Sequence, residues 1–121
     1  GRGRIVNMSS VTGSIVTFPG GGAYGAAKAA MTGYTRSLAL ELGKDGIIAN
    51  AVAPGWIDNG YAPDFQRDGG VNTPIGRMGT PSEVASMVLY LASDECSYLT
   101  GQNIVIDGGN TIQEYKGSLH F

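Results

Sequence analysis

The run Ile47–Ala53 (IIANAVA) constrains the fold of this chain most, because it is apolar and nearly continuous where a half-buried strand would alternate. A strand with that pattern is typical of a parallel sheet whose two faces are both covered. Pro54 and Gly55 follow the run directly and end it. The run therefore predicts a sheet with other elements packed against each of its faces.

Local patterns supply the elements that could pack around this strand. Two further strands are predicted, over Arg4–Met8 and Asn103–Ile106, and two helices, over 23–42 and 81–93. The second helix has a clear start, since Thr80 and Glu83 form a capping box around Pro81. Residues 12–22 and 56–77 are rich in glycine and proline and are predicted as loops. Loops as long as the second one often form lids or bind ligands.

The order of these elements, which is strand, helix, strand, loop, helix, strand, predicts an α/β fold. In a parallel sheet with helical crossovers, ligands bind beyond the carboxyl ends of the strands. Those ends are predicted at Ser9–Ser10, Pro54–Gly55 and Asp107–Gly109. The glycine content, 20 of 121 residues, suits the tight turns of such a fold.

Three polar side chains near this predicted edge suggest acid–base chemistry. Tyr24 and Lys28 are four residues apart, so a helix would place both on one face. A nearby cation stabilises a phenolate, which allows a tyrosine to act as a general acid and base near neutral pH. Ser10 could hydrogen-bond the oxygen that gains or loses the proton. These three residues are therefore the candidate catalytic set.

The composition argues against several classes of function. The formal net charge is −2, which favours neither nucleic acid nor an anionic membrane as a partner. Cys96 is the single cysteine, so the sequence predicts no internal disulfide, and no metal site is expected. No apolar run approaches the ~20 residues of a membrane span and no signal segment opens the sequence, so a cytoplasmic protein is expected.

Five sequence blocks follow one another in the order, and at close to the spacing, of one enzyme family. They are NMSSVTG (7–13), YGAAKAA (24–30), NAVAPGWI (50–57), GRMGTPSEVA (76–85) and YLTGQNIVIDGG (98–109). With these blocks the chain resembles the C-terminal half of a classical short-chain dehydrogenase/reductase. The resemblance implies the C-terminal portion of a doubly wound, Rossmann-like domain over 1–109, with about three parallel strands and helices on both faces. A tail without clear structure would follow over 110–121.

The resemblance also implies a reaction, the reversible transfer of a hydride between NAD or NADP and the alcohol/carbonyl pair of a small-molecule substrate. Ser10 would orient the substrate oxygen, Tyr24 would transfer its proton, and Lys28 would support the tyrosine and hold the nicotinamide ribose. Six residues would contact the cofactor, namely Tyr24, Lys28, Pro54, Gly55, Ile57 and Asn59. Asn59 stands where the family has a threonine, and Ile48 stands where it usually has an arginine.

The resemblance does not extend to the N-terminal half of the family's fold, which carries the glycine-rich phosphate-binding turn. That missing half, on a longer parent chain or a second polypeptide, is therefore among the expected partners, and the first strand is expected at an open sheet edge. The 23–42 helix has a face of small residues, namely Ala26, Ala29, Ala30, Gly33 and Ser37. This small-residue face could pack inside the domain or join copies of the chain, and a homo-oligomer through this helix is expected.

Two other functions stay open from the sequence. The chain could be a truncated, non-catalytic relative that acts through association or complementation. It could also be a hydrolase with a triad of Ser10, His120 and Asp107, although no nucleophile-elbow motif supports that alternative. Three aromatic residues lie in the 56–77 loop, namely Trp56, Tyr61 and Phe65. They could line a substrate pocket, or they could pack in the core or in a lid.

Overall fold

A computed structural model describes residues 2–116 of the chain. Within this range the strands are β1 (Gly3–Met8), β2 (Ile47–Pro54) and β3 (Asn103–Ile106). The helices are α1 (Val11–Ser14), α2 (Gly22–Leu42), α3 (Asp64–Val71) and α4 (Pro81–Ala92), with short 3₁₀ helices at Gly43–Asp45 and Asn110–Ile112. None of the described helices is long and apolar enough to cross a membrane.

The three strands form one parallel sheet in the order β1, β2, β3. β2 lies in the centre, and its residues 49–53 are buried, as its continuous apolar run predicts. Val6 is opposite Asn50, and Val52 is opposite Ile104. The predicted α/β class and the parallel sheet are therefore confirmed. β1 lies at one edge of the sheet that the described residues form.

Helices cover both faces of the sheet. On one face, Val52 of β2 joins Leu91 of α4 and Cys96 in the buried core. On the other face, the side-chain amide of Asn7 in β1 donates a hydrogen bond to Thr35 Oγ1 in α2 at 2.9 Å. Neighbouring residues along a strand point to opposite faces, so these contacts place α4 and α2 on opposite sides. The prediction of helices on both faces is confirmed.

The start of α4 follows its sequence signature. Glu83 N donates to Thr80 Oγ1 at 3.3 Å, and Thr80 N donates to Glu83 Oε1 at 2.9 Å, which completes the predicted capping box. The Arg77 guanidinium also donates two hydrogen bonds to the Glu83 carboxylate, at 2.8 and 2.9 Å. These bonds from Arg77, followed by those from Thr80, lower the pKa of Glu83 to about 2. The Glu83 carboxylate therefore stays ionised at neutral pH, and its hydrogen bonds with Arg77 link the preceding loop to α4.

The 56–77 segment differs from the prediction, because it contains the helix α3. Glycines such as Gly69 lower helix propensity, so no periodic signal marks this helix in the sequence. Tertiary packing stabilises it instead, since the Phe65 ring meets Trp56 edge to face with centroids 6.4 Å apart. A Cβ atom built on Gly69 would lie 2.5 Å from Trp56 Nε1, so only glycine lets the helix approach the indole this closely.

Two shorter elements also lie in segments predicted without regular structure. α1 is a single distorted turn, in which Gly13 has a φ of +106°. The 3₁₀ helix at Asn110–Ile112 is organised by Asp107, whose carboxylate accepts hydrogen bonds from Gly109 N, Thr111 N and Thr111 Oγ1 at 2.9, 2.8 and 2.7 Å. The start of the predicted tail is therefore ordered by one carboxylate, while the division at residue 109 stays a prediction.

Candidate active site

An open cavity of about 900 Å³ lies beyond the carboxyl ends of β1 and β2. Five of the predicted site residues line its wall, namely Ser10, Tyr24, Pro54, Gly55 and Ile57. They come from three segments that are far apart in sequence, after β1, at the start of α2, and at the end of β2 and just beyond it. The cavity lies where this topology predicts a ligand.

The two serines after β1 have different surroundings. Ser9 Oγ lies 2.6 Å from Asn103 Oδ1 and 3.1 Å from the Val52 carbonyl oxygen. Its hydroxyl hydrogen is therefore donated to these acceptors in the neighbouring strands of the sheet. Ser10 Oγ instead accepts a hydrogen bond from Thr12 N at 3.1 Å, and its own hydrogen remains available to an acceptor in the cavity. This geometry favours Ser10 over Ser9 as the serine that contacts a ligand.

Tyr24 and Lys28 lie on one face of α2, as their spacing predicts. The Lys28 ammonium donates a hydrogen bond to the Met8 carbonyl oxygen at 3.2 Å and lies 5.8 Å from the centroid of the Tyr24 ring. The tyrosine is half exposed and lines the cavity, whereas Lys28 is not part of the wall. Among the described residues, no hydrogen bond joins the Tyr24 hydroxyl to Ser10 or Lys28.

A contact between two glycines holds the turn after Ser10 against α2. A Cβ atom on Gly13 would lie 2.2 Å from the carbonyl oxygen of Gly25, so the two backbones touch. Gly13 also has a positive φ, which other residues adopt only under strain. The contact brings the turn that carries Ser10 next to the part of α2 that carries Tyr24.

The segment after β2 is fixed on two sides. Gly55 N donates to the Ile106 carbonyl oxygen at 2.9 Å, and a Cβ atom on Gly55 would lie 2.7 Å from the side chain of Asp107. Gly79 N donates a hydrogen bond to the Trp56 carbonyl oxygen, and Asp58 N donates one to the Gly79 carbonyl oxygen, each 2.9 Å long. These two bonds pair Ile57 with Gly79. Residues 54–57 therefore form a rigid and largely apolar part of the wall, against which a flat aromatic group could bind.

Asn59, like Lys28, is a predicted cofactor residue that does not line the cavity. Its side-chain oxygen accepts a hydrogen bond from Tyr61 N at 2.9 Å, which closes a turn in the loop. The residue is exposed and does not belong to the cavity wall. Its role in cofactor binding stays a prediction.

The aromatic residues divide into those on the wall and those outside it. Trp56 and Phe65 line the cavity, whereas Tyr61 is 90% exposed and lies outside it. Phe18 also lines the cavity, although the sequence did not single it out. The available signal was a large aromatic residue in the loop between the candidate serine and tyrosine, directly before Pro19 and three glycines.

The residues of the alternative hydrolase triad are not brought together in the described part of the chain. The Asp107 carboxylate already accepts three hydrogen bonds within its own turn. His120 lies outside the described residues. No observation on residues 2–116 therefore favours hydrolysis over proton transfer.

Known proteins match this chain over most of its length. The family model described as enoyl-(acyl carrier protein) reductase matches residues 1–111. The oxidoreductase UcpA of Salmonella typhimurium is 44% identical over 124 aligned positions, which cover 93% of this chain and 47% of UcpA. A tropinone reductase homologue of Arabidopsis thaliana is 46% identical over 122 positions, which cover 96% of this chain and 46% of the homologue. The chain spans about half the length of these curated relatives.

Solved structures give the same result for the fold. Acetoin dehydrogenase YohF from Salmonella typhimurium superposes with a TM-score of 0.79 at 41% identity, covering 90% of this chain and 43% of YohF. A short-chain dehydrogenase/reductase from Serratia marcescens superposes with a TM-score of 0.82 at 36% identity, covering 89% of this chain and 45% of that protein.

Proposed function

The chain belongs to the short-chain dehydrogenase/reductase family, and from that premise we propose that it forms the proton-transfer part of an NAD(P)-dependent oxidoreductase site. The reaction is the reversible transfer of a hydride between the cofactor and an alcohol/carbonyl pair. One observation carries the proposal: Ser10, Tyr24 and the segment after β2 line a single cavity at the strand ends, with the Lys28 ammonium beside the tyrosine ring.

Each polar residue has one task in this proposal. A bound NAD(P) would give or take the hydride. Ser10 would donate the hydrogen of its hydroxyl to the substrate oxygen and hold it near Tyr24. The Tyr24 phenol would give its proton to that oxygen during reduction and take it back during oxidation. Lys28 would stabilise the phenolate that forms and would hold the ribose next to the nicotinamide.

The residues after β2 fit one end of the cofactor. Pro54, Gly55 and Ile57 would hold the nicotinamide, because they form a fixed apolar surface next to Tyr24. Asn59 would be a further cofactor contact, and its side-chain oxygen accepts a hydrogen bond from Tyr61 N. We propose that an N-terminal half, on a longer parent chain or a second polypeptide, holds the rest of the cofactor. The coverage of 47% of UcpA and the position of β1 at the sheet edge support this.

A hydride-transfer assay tests the proposed function. We expect a protein that contains this chain together with its N-terminal half to oxidise NADH or NADPH only when a ketone is present. Calorimetry on the same protein should show binding of the cofactor. A protein that neither binds NAD(P)(H) nor reduces any ketone would overturn the proposal, and would favour the non-catalytic alternative that acts through association.

A homo-oligomer through α2 is part of the same proposal. Most of the small-residue face defined above is exposed, and a Cβ atom on Gly33 would meet no other atom within 4 Å. Another helix could therefore approach this face closely. We expect sedimentation to show an oligomer, and Ala30→Glu, which places a charge on that face, to shift it towards the monomer. A wild-type protein that sediments as a monomer would contradict this interface.

A further inference from the structure

We propose that the substrate of this cavity is a neutral ketone or alcohol whose non-reacting part is a ring or another compact apolar group. Phe18, Trp56 and Phe65, called the aromatic wall below, would bind that part. This substrate class rests on the proposed function, since it concerns the same cavity. It goes further because it names the chemistry of the molecule that the cavity accepts.

The aromatic wall is the part of the cavity to which no catalytic or cofactor role is assigned. Phe18 comes from the loop between Ser10 and Tyr24, whereas Trp56 and Phe65 come from the segment after β2. The aromatic wall therefore lines the same cavity as Ser10 and Tyr24 and comes from two separate segments. A substrate whose oxygen reached Ser10 and Tyr24 would place its remaining atoms against these rings.

The Phe18 ring is held in place without being buried. The residue is 53% exposed, so much of its surface is open. A Cβ atom on Gly21 would lie 3.0 Å from two ring carbons, which shows that the ring rests against this backbone. Gly21 N also donates a hydrogen bond to the Phe18 carbonyl oxygen at 3.0 Å, which closes the turn that carries the ring.

The Trp56 indole is also held in place, by contacts with two residues of α3. Phe65 and Gly69 are four residues apart and lie on one face of α3. Phe65 contacts the indole edge to face, and Gly69 allows the helix backbone to lie against it. Rings that are fixed before binding lose little conformational freedom when a ligand arrives, so they favour affinity for a flat apolar group.

The charges around the cavity favour a neutral ligand. Among the described residues that line it, none is acidic, and Lys116 is the one basic side chain. Lys116 is exposed, so water and salt would screen its attraction for an anion. A carboxylate placed against the aromatic wall would lose hydration, and the Trp56 indole N–H would be the single hydrogen-bond donor that the three rings offer in return. A neutral ring would instead gain from the burial of apolar surface.

Trp56 allows a direct test, because it is the only tryptophan among these 121 residues, and its indole N–H NMR signal in the larger protein is the one that Trp56→Phe removes. The probes are 1-phenylpropan-2-one, phenylpyruvate, which adds a carboxylate, and 3-hydroxybutan-2-one, which lacks the ring. In the protein that also contains the N-terminal half, we expect the first probe to shift this signal with a Kd at least about tenfold lower than the others.

Variants locate the binding. Phe18→Ala should weaken the binding of 1-phenylpropan-2-one by about tenfold, and Phe18→Leu by less, because leucine keeps part of the apolar surface. Tyr98→Ala is the control, since Tyr98 is 91% exposed and lies outside the cavity. Equal affinity for the three probes, tighter binding of phenylpyruvate, or unchanged affinity in the folded Phe18 variants would overturn the inference.

The same titration separates this inference from the proposed function. Tyr24→Phe removes one hydroxyl, which every ketone probe would contact alike, and leaves the aromatic wall intact, so the ring probe should still bind at least about tenfold more tightly than the other two probes. Ring-selective binding without any hydride transfer would support the substrate class and overturn the proposed function. Hydride transfer to ketones without ring selectivity would do the reverse.

Discussion

Tyr24→Phe should lower the rate of ketone reduction by about 10²–10⁴-fold, because it removes the phenolic O–H that we propose as the proton donor. The ring itself would remain beside the Lys28 ammonium and on the cavity wall. Binding of cofactor and ketone should therefore change little, and the loss should be found in kcat. Steady-state kinetics with NADH or NADPH measure both quantities.

Tyr34→Phe is the matched control for this prediction. Tyr34 also lies on α2 and is 63% exposed, but it is not part of the cavity wall. Its loss of a hydroxyl should leave kcat unchanged. If Tyr24→Phe kept more than about a tenth of the wild-type kcat, another group would have to supply the proton, and the role of Tyr24 as general acid would be wrong.

Gly13→Ala should reduce the free energy of unfolding by about 3 kcal/mol, a large loss for a small domain. The new Cβ atom would lie 2.2 Å from the Gly25 carbonyl oxygen, and the residue would keep a φ of +106° that alanine rarely adopts. The turn that carries Ser10 would have to move away from α2. Urea denaturation followed by circular dichroism measures the loss.

Gly20→Ala separates the two causes of that loss. Gly20 has a φ of +90°, but a Cβ atom there would meet nothing within 4 Å. Its substitution should therefore cost only the backbone strain, about 1 kcal/mol. If the two variants lost equal stability, backbone conformation would account for the whole effect, and the contact with Gly25 would contribute nothing.

The elements that the sequence predicts well are those whose signals are local. The continuous apolar run of β2 and the capping box at Thr80 each identify one element without reference to the rest of the chain. α3 has no such signal, because its stability comes from Trp56, a residue that precedes the helix by eight positions. Contacts of that kind depend on the path of the loop, which local patterns do not determine.

The candidate site divides in a similar way. Topology alone predicts that Ser10, Tyr24 and the residues that follow β2 meet beyond the carboxyl ends of the strands. The structure places them on one cavity wall. The position of Phe18 depends on the turn that Gly21 closes, and the outward position of Asn59 depends on its hydrogen bond to Tyr61 N. Both are details of loop conformation, which a pattern of residue types does not specify.

The pairing of Ile57 with Gly79 closes the loop between them at its base. Because the two ends are joined there, an insertion or deletion inside the loop would not change the register of β2 or the start of α4. Exchange of this loop between relatives would thus replace Phe65 and Gln66 in the cavity lining and leave Ser10 and Tyr24 in place. If the proposed function holds, this arrangement lets substrate selectivity evolve separately from the proposed proton transfer.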